Sequence, residues 1–204
     1  MTRLTRRLRC SLEWFLCVLS EKWIRRIPFS LAPELPMAIV YSDAESHGDV
    51  AAVFVFEHRV SFIAGKLPGN VRKLLQERRT NLVAYELLAA ILAIVTVDRL
   101  LPAHVGVRHF VDSTPALSCV IKGSSRQWDL NLLNGLLWFS NAARMRLYWG
   151  QYVRSVSNLA DGPSRSDFAL MPRLGACRLP FDCSELCPAA EQWLSRPRPS
   201  ALVL

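Results

Sequence analysis

Apolar residues enter the chain at helical spacing. Leu4, Leu8, Leu12, Phe15, Leu16, Leu19 and Trp23 recur at steps of three and four, which predicts an amphipathic helix over residues 3–25. Pro28, Pro33 and Pro36 then interrupt the chain and read as a linker, with a domain boundary near Pro36. From Met37 the period changes. Residues 37–43 form a short apolar run ending in a polar turn, and β-rich runs at 50–56 and 59–64 flank Glu57-His58, so a meander of three strands is predicted. Thr80 or Asn81 caps a long helix running to about Leu101. Residues 105–111 give a fourth strand, 113–121 and 128–143 two helices parted by Gly123, 145–153 a fifth strand, and 158–165 the start of a short helix. Pro172, Pro180, Pro188, Pro197 and Pro199 mark the rest as a loosely packed tail.

This order, β-β-β-α-β-α-α-β-α, predicts an α/β fold on a five-stranded mixed sheet flanked by helices. Three consecutive strands form an antiparallel half, and helical crossovers place the later strands parallel to the first. Three segments are expected: a basic helix and linker at 1–36, the α/β domain at 37–168 and the proline-rich tail at 169–204. In such sheets a site forms beyond the carboxyl ends of the parallel strands.

With 204 residues and 51% hydrophobic content, the chain has enough apolar material for one well-filled domain. The net charge of +8 is uneven: residues 1–26 carry seven basic side chains against two acidic ones. That balance favours a polyanion or an anionic membrane surface as partner. A bilayer span is not expected. The apolar run near Leu12 is interrupted by Glu13 and closed by Glu21 and Lys22, and the run at 87–97 is too short. Six cysteines show no C-x-x-C spacing, and Cys177, Cys183 and Cys187 have no histidine nearby. They read as reduced thiols of an intracellular protein of cytoplasm or nucleus.

Four carboxylates fall where a site beyond this sheet needs them. Asp43 ends the first strand, Asp112 ends the fourth, and Asp161 follows the fifth at a helix start. Glu86 lies within the long helix, whose faces are nearly all apolar, so it should be buried, and a lone buried glutamate is costly unless paired or metal-bound. Singly, each aspartate reads as a turn or cap residue. Together they form a set of hard oxygen ligands suited to Mg²⁺ or Mn²⁺. Two such ions activate a water and stabilise the departing oxygen of a phosphodiester.

The motifs around these acids resemble the ribonuclease H family. Tyr41-Ser42-Asp43-Ala44 is similar to its first-strand motif, and Thr80-Asn81 leading to Glu86-Leu87 resembles the helix that delivers its glutamate. The stretch from His109 to Leu117, with Asp112-Ser113-Thr114-Pro115, resembles its fourth-strand aspartate and following helix. Asn158-Leu159-Ala160-Asp161-Gly162-Pro163-Ser164-Arg165 resembles the closing motif of domains that trail a reverse transcriptase in tyrosine-recombinase-type and related retrotransposons. The resemblance covers about residues 37–168. It implies a ribonuclease H-like fold and a two-ion Mg²⁺ (or Mn²⁺) site held by Asp43, Glu86, Asp112 and Asp161. The implied activity is hydrolysis of the RNA strand of an RNA–DNA hybrid, with a polymerase segment as a further partner. Two features depart from the family. No histidine lies between Gly150 and Ala160, and Glu45 adds an acid two residues after Asp43, which reads first as a turn residue and second as a supporting ligand. No polymerase motif is present, so a fragment, remnant or domesticated piece of a retroelement polyprotein is implied.

Arg72, Lys73, Arg78 and Arg79 precede the glutamate helix and read either as phosphate contacts or as a solvated loop. Ser113, Asn158 and Arg165 complete the candidate nucleic-acid contacts. Trp128, Trp138, Phe139, Tyr148 and Trp149 are expected in the core. The alternatives are a catalytically inactive binding or structural module on the same fold, and a nuclease of this fold that acts on DNA.

Overall fold

The computed structural model describes residues 36–102, 105–143 and 146–183. The amphipathic helix expected over residues 3–25 and the end of the chain beyond Cys183 lie outside these residues.

Strands β1 (Met37–Ala44), β2 (Asp49–Phe56) and β3 (Arg59–Lys66) form the predicted antiparallel meander. Glu57 and His58 close the second hairpin as a two-residue loop with φ of 46° and 65°, the left-handed pair that a tight hairpin with the right twist demands. Helix α1 (Gly69–Leu74) leads to the long helix α2 (Leu82–Leu100). The hydroxyl of Thr80, rather than the Asn81 side chain, accepts from the Leu82 amide at 3.3 Å. Strand β4 (Gly106–Val111), helices α3 (Thr114–Lys122) and α4 (Trp128–Ala143), and strand β5 (Tyr148–Tyr152) follow. The strand order is β5-β4-β1-β2-β3-β6, with β4 parallel to β1 and β5 parallel to β4. This is the expected mixed sheet, with six strands instead of five.

The sixth strand comes from the proline-rich stretch. After α5 (Asp161–Ser164) and α6 (Leu170–Arg173), the two-residue strand β6 (Cys177–Arg178) pairs parallel to β3. Two residues carry no periodic signal, so periodicity could not reveal it. The segment holds because Met171 is buried, the Leu179 amide donates to the Phe62 carbonyl at 2.8 Å, and Phe181 occupies the space over Gly65.

Helix α2 is apolar all round because it is covered all round. Its residues 84–94 are buried without a break; it lies over β1 and β2 and packs against α3 and α4. The opposite face of β2 and β3 is closed by Ala160, Phe168 and Met171. Core placement fails for Trp149, which is 63% exposed. Strand β5 is an edge, and only the side bearing Tyr148 and Gly150 meets a helix, so the intervening Trp149 turns outward. Trp138 is also exposed, its indole N–H donating to the Val120 carbonyl at 2.9 Å.

Candidate metal centre

Parallel pairing decides where the first two acids meet. Strands β1 and β4 align Tyr41 with Phe110, so two residues further on Asp43 and Asp112 stand side by side at the same sheet edge. Glu86 reaches this edge from the second turn of α2. One oxygen from each of Asp43, Glu86 and Asp112 lies within 4.8 Å of the other two. Asp43 and Glu86 are buried and Asp112 is half-buried.

Like charges packed out of water hold on to protons. Burial pushes the Asp43 carboxyl up to about 7; the Ser164 hydroxyl opposes this, and the charges of Asp112 and Asp161 add to it. Burial likewise pushes Glu86 up to about 9, followed by the charges of Asp43, Asp112 and Glu45, with the Ala44 amide opposing. Glu86 Oε2 is buried with no hydrogen-bond partner. A buried, orphaned carboxylate oxygen on a member of this acid cluster needs a proton or a cation. A three-carboxylate set with no sulfur or imidazole fits a hard divalent ion such as Mg²⁺ or Mn²⁺.

Asp161 stands beside this trio without joining it. It is close enough to raise the Asp43 pKa, but its Oδ1 is 2.8 Å from Arg165 Nη2. The Arg165 Nε is in turn 2.7 Å from Glu45 Oε1, so Glu45 holds an arginine at the mouth of the site instead of serving only as a turn acid. A cleft of about 570 Å³ opens here, lined by Glu45, His47, Asp49, Ser164, Arg165 and Ser166.

Three positions support the acids from behind. Ser164, buried, donates its hydroxyl proton to Asp43 Oδ2. Asn158, also buried, donates from Nδ2 to the Ser42 carbonyl at 3.1 Å and accepts from the Ala160 amide. It therefore ties the closing motif to β1. His109 is fully buried between Ser42 Oγ at 2.8 Å and the Tyr148 hydroxyl at 2.9 Å. Burial lowers its pKa to about 3, so the imidazole is neutral and joins β1, β4 and β5 just behind Asp43. Sequence reasoning missed this role for His109. The available signal was its place between Val107 and Val111 on the inward side of a strand.

The expected nucleic-acid contacts fall into two groups. Arg78 is not a free cation: its Nη2 bonds both oxygens of Asp129, whose side chain is fully buried and also accepts from the Gln76 amide. The pair fastens the segment before α2 to the start of α4. Arg72 is partly committed, donating to the His47 carbonyl at 3.2 Å and packing over Gly48, which turns at φ +84°. Lys73 and Arg79 are exposed. Ser113 caps α3, its hydroxyl accepting from the Ala116 amide at 3.4 Å, directly after Asp112.

Cys119 and Cys177 are free thiols. Among the described residues, no helix is long and apolar enough to cross a membrane.

No protein-family model matches the chain, and no curated protein does. Among solved structures, it is similar to the N-terminal RNase H domain of rv2228c from Mycobacterium tuberculosis, solved as a fusion with maltose binding protein. That match has 16% identity and a TM-score of 0.47, covering 69% of this chain and 99% of that one. It is also similar to RNase H1 from the halophilic archaeon Halobacterium salinarum NRC-1, at 13% identity and a TM-score of 0.45, covering 65% of this chain and 96% of that one. The chain's own strand order, three antiparallel strands followed by parallel ones with flanking helices, makes its fold ribonuclease H-like.

Proposed function

We propose that this chain is a divalent-metal-dependent endonuclease that hydrolyses the RNA strand of RNA–DNA hybrids, derived from a retroelement polyprotein. The observation that carries this reading is the convergence of Asp43, Glu86 and Asp112 from β1, α2 and β4, with one buried Glu86 oxygen left unpartnered. Asp43, Glu86 and Asp112 would hold Mg²⁺ or Mn²⁺, with Asp161 as a further ligand. When bound, such ions lower the pKa of an attacking water and stabilise the departing oxygen of a phosphodiester.

The chain's own groups prepare the site. The Ser164 hydroxyl fixes one oxygen of Asp43, leaving the other for ligation. The neutral His109 bridge and the Asn158 clamp hold Ser42 and hence the end of β1. Water adds to phosphorus and the bond to the 3′ oxygen breaks, leaving a 3′-hydroxyl and a 5′-phosphate. Exposed Lys73 and Arg79, with Arg72, supply sequence-independent attraction to phosphates, while 2′-hydroxyl contacts distinguish RNA from DNA. The motif Asn158–Arg165 supports the retroelement origin, with a polymerase segment as its partner and an intracellular setting.

The test is a cleavage assay on labelled hybrid, double-stranded RNA and double-stranded DNA, each with Mg²⁺ or EDTA. Mg²⁺-dependent cutting of the hybrid alone is expected. Binding without cutting overturns the enzymatic reading in favour of a binding module, and cutting of DNA overturns the substrate assignment.

A further inference from the structure

Arg165 spans two carboxylates at the solvent side of the acid cluster. Its Nη2 lies 2.8 Å from Asp161 Oδ1 and its Nε lies 2.7 Å from Glu45 Oε1. All three side chains are partly open to water, Arg165 the most at 59%. Among the ion pairs of the described residues, Arg165 contacts none of the three converging carboxylates. The site thus has two layers: an inner trio whose oxygens converge, and an outer aspartate already occupied by a cation of the protein itself.

We infer that Arg165 is a displaceable internal counter-ion, which occupies Asp161 until a second divalent ion enters and is kept at the rim by Glu45 when Asp161 is released. This rests on the reading of Asp43, Glu86 and Asp112 as metal ligands. The physical argument is one of competition. An exposed arginine–carboxylate pair is weak, because water screens it and two long side chains must be held in one geometry. A divalent ion offers Asp161 twice the charge at shorter range, so it wins once it is present at sufficient concentration. Until then Arg165 lowers the negative potential at the rim and offsets part of the like charge that Asp161 adds to the cluster. The tether to Glu45 matters because a guanidinium has donors for two partners at once, so losing one leaves the other intact. Arg165 is accordingly a positioning residue that acts through Asp161.

Mn²⁺ titration of the full chain without nucleic acid, by calorimetry and by the free-ion paramagnetic signal, tests this. The wild type should take one ion tightly and a second weakly. Arg165→Gln should leave the first ion nearly unchanged and tighten the second about fivefold, the upper range for an exposed pair. In an Asp161→Asn background the same change should have no effect on either ion. An arginine acting only through its field would tighten both ions and would do so with Asp161→Asn as well. That result, or an unchanged second ion in Arg165→Gln, overturns the proposal. Asp43→Asn separates this from the underlying reading: if it binds Mn²⁺ like the wild type, the metal centre itself is wrong. If it loses the first ion while Arg165→Gln is silent, only the counter-ion role fails.

Discussion

Ser164 donates its hydroxyl proton to Asp43 Oδ2 across 121 positions of sequence, joining the closing motif to the first strand inside the acid cluster. The contact opposes the burial and like charge that drive the Asp43 carboxyl up to about 7. It therefore helps keep that carboxylate ionised, and able to take a cation, at neutral pH.

Removing this hydroxyl should be visible as a pH shift. Ser164→Ala is expected to raise the Asp43 pKa and move the pH dependence of hybrid cleavage to the alkaline side by about one unit, since a hydrogen bond to a charged group is worth about 1.5–3 kcal/mol. Activity at high pH should recover most of the wild-type rate. A profile that falls evenly at every pH would show instead that Ser164 serves packing.

Asp112→Asn keeps the shape of the site while removing one charge and one ligand. Cleavage should be lost, yet the variant should melt no lower than wild type in EDTA, because a repulsive charge has left the cluster. Added Mg²⁺ should stabilise the wild type more, as a ligand that binds only the folded state does. Parallel melts with and without Mg²⁺ decide the matter. Equal Mg²⁺ shifts with cleavage retained would sink the assignment of Asp112 as a ligand.

Glu86 predicts the alkaline limb of metal-free stability. An unfolded glutamate loses its proton near 4.5, whereas the folded one keeps it to about 9. Between those values the native state binds more protons than the unfolded chain, so stability falls as pH rises through that window. His109 acts on the acid side. Its folded pKa of about 3 lies below the ordinary 6.5, so its contribution is present above 6.5 and lost as pH falls towards 3. In EDTA at pH 8, Glu86→Gln should melt above wild type, with the gap closing in mildly acidic buffer. Melting curves across pH in EDTA check this, and a gap that does not vary with pH would refute it.

Arg78 and Arg79 are adjacent in sequence and should behave differently. Arg78→Ala leaves the fully buried Asp129 carboxylate without its cation, and loss of one partner of a buried pair costs about 3–5 kcal/mol. Arg79→Ala should leave stability nearly unchanged while weakening hybrid binding and reducing its salt slope by about one. Denaturant melts and salt-dependent binding of both variants check the contrast. A stable Arg78→Ala that binds hybrid poorly would reverse the assignment.

Much of the framework was legible in local pattern. Strand and helix periods predicted the order of the first five strands and the buried helix α2; strand ends located Asp43 and Asp112, and the apolar helix located Glu86. These features depend on neighbours a few residues away, and the register of parallel strands then carries Asp43 and Asp112 together with little further information.

What local pattern could not decide is which partner each polar group finds across the fold. Asp161 looks equivalent to the other acids in sequence, but only the folded chain sets Arg165 and Glu45 beside it. Arg78 looks like its exposed neighbour until α4 supplies Asp129. Ser164, Asn158 and His109 become supports of the site through contacts with β1 and β5 that lie far away in the chain. Trp149 follows a core-like strand pattern, but an edge strand has only one covered face. Local pattern sufficed for the first five strands, helix α2 and the acids they carry, because backbone propensity and hydrophobic period act over a few residues. Charge pairing needed the fold, because electrostatic and hydrogen-bond partners are chosen by distance in space and by the burial that strips away competing water.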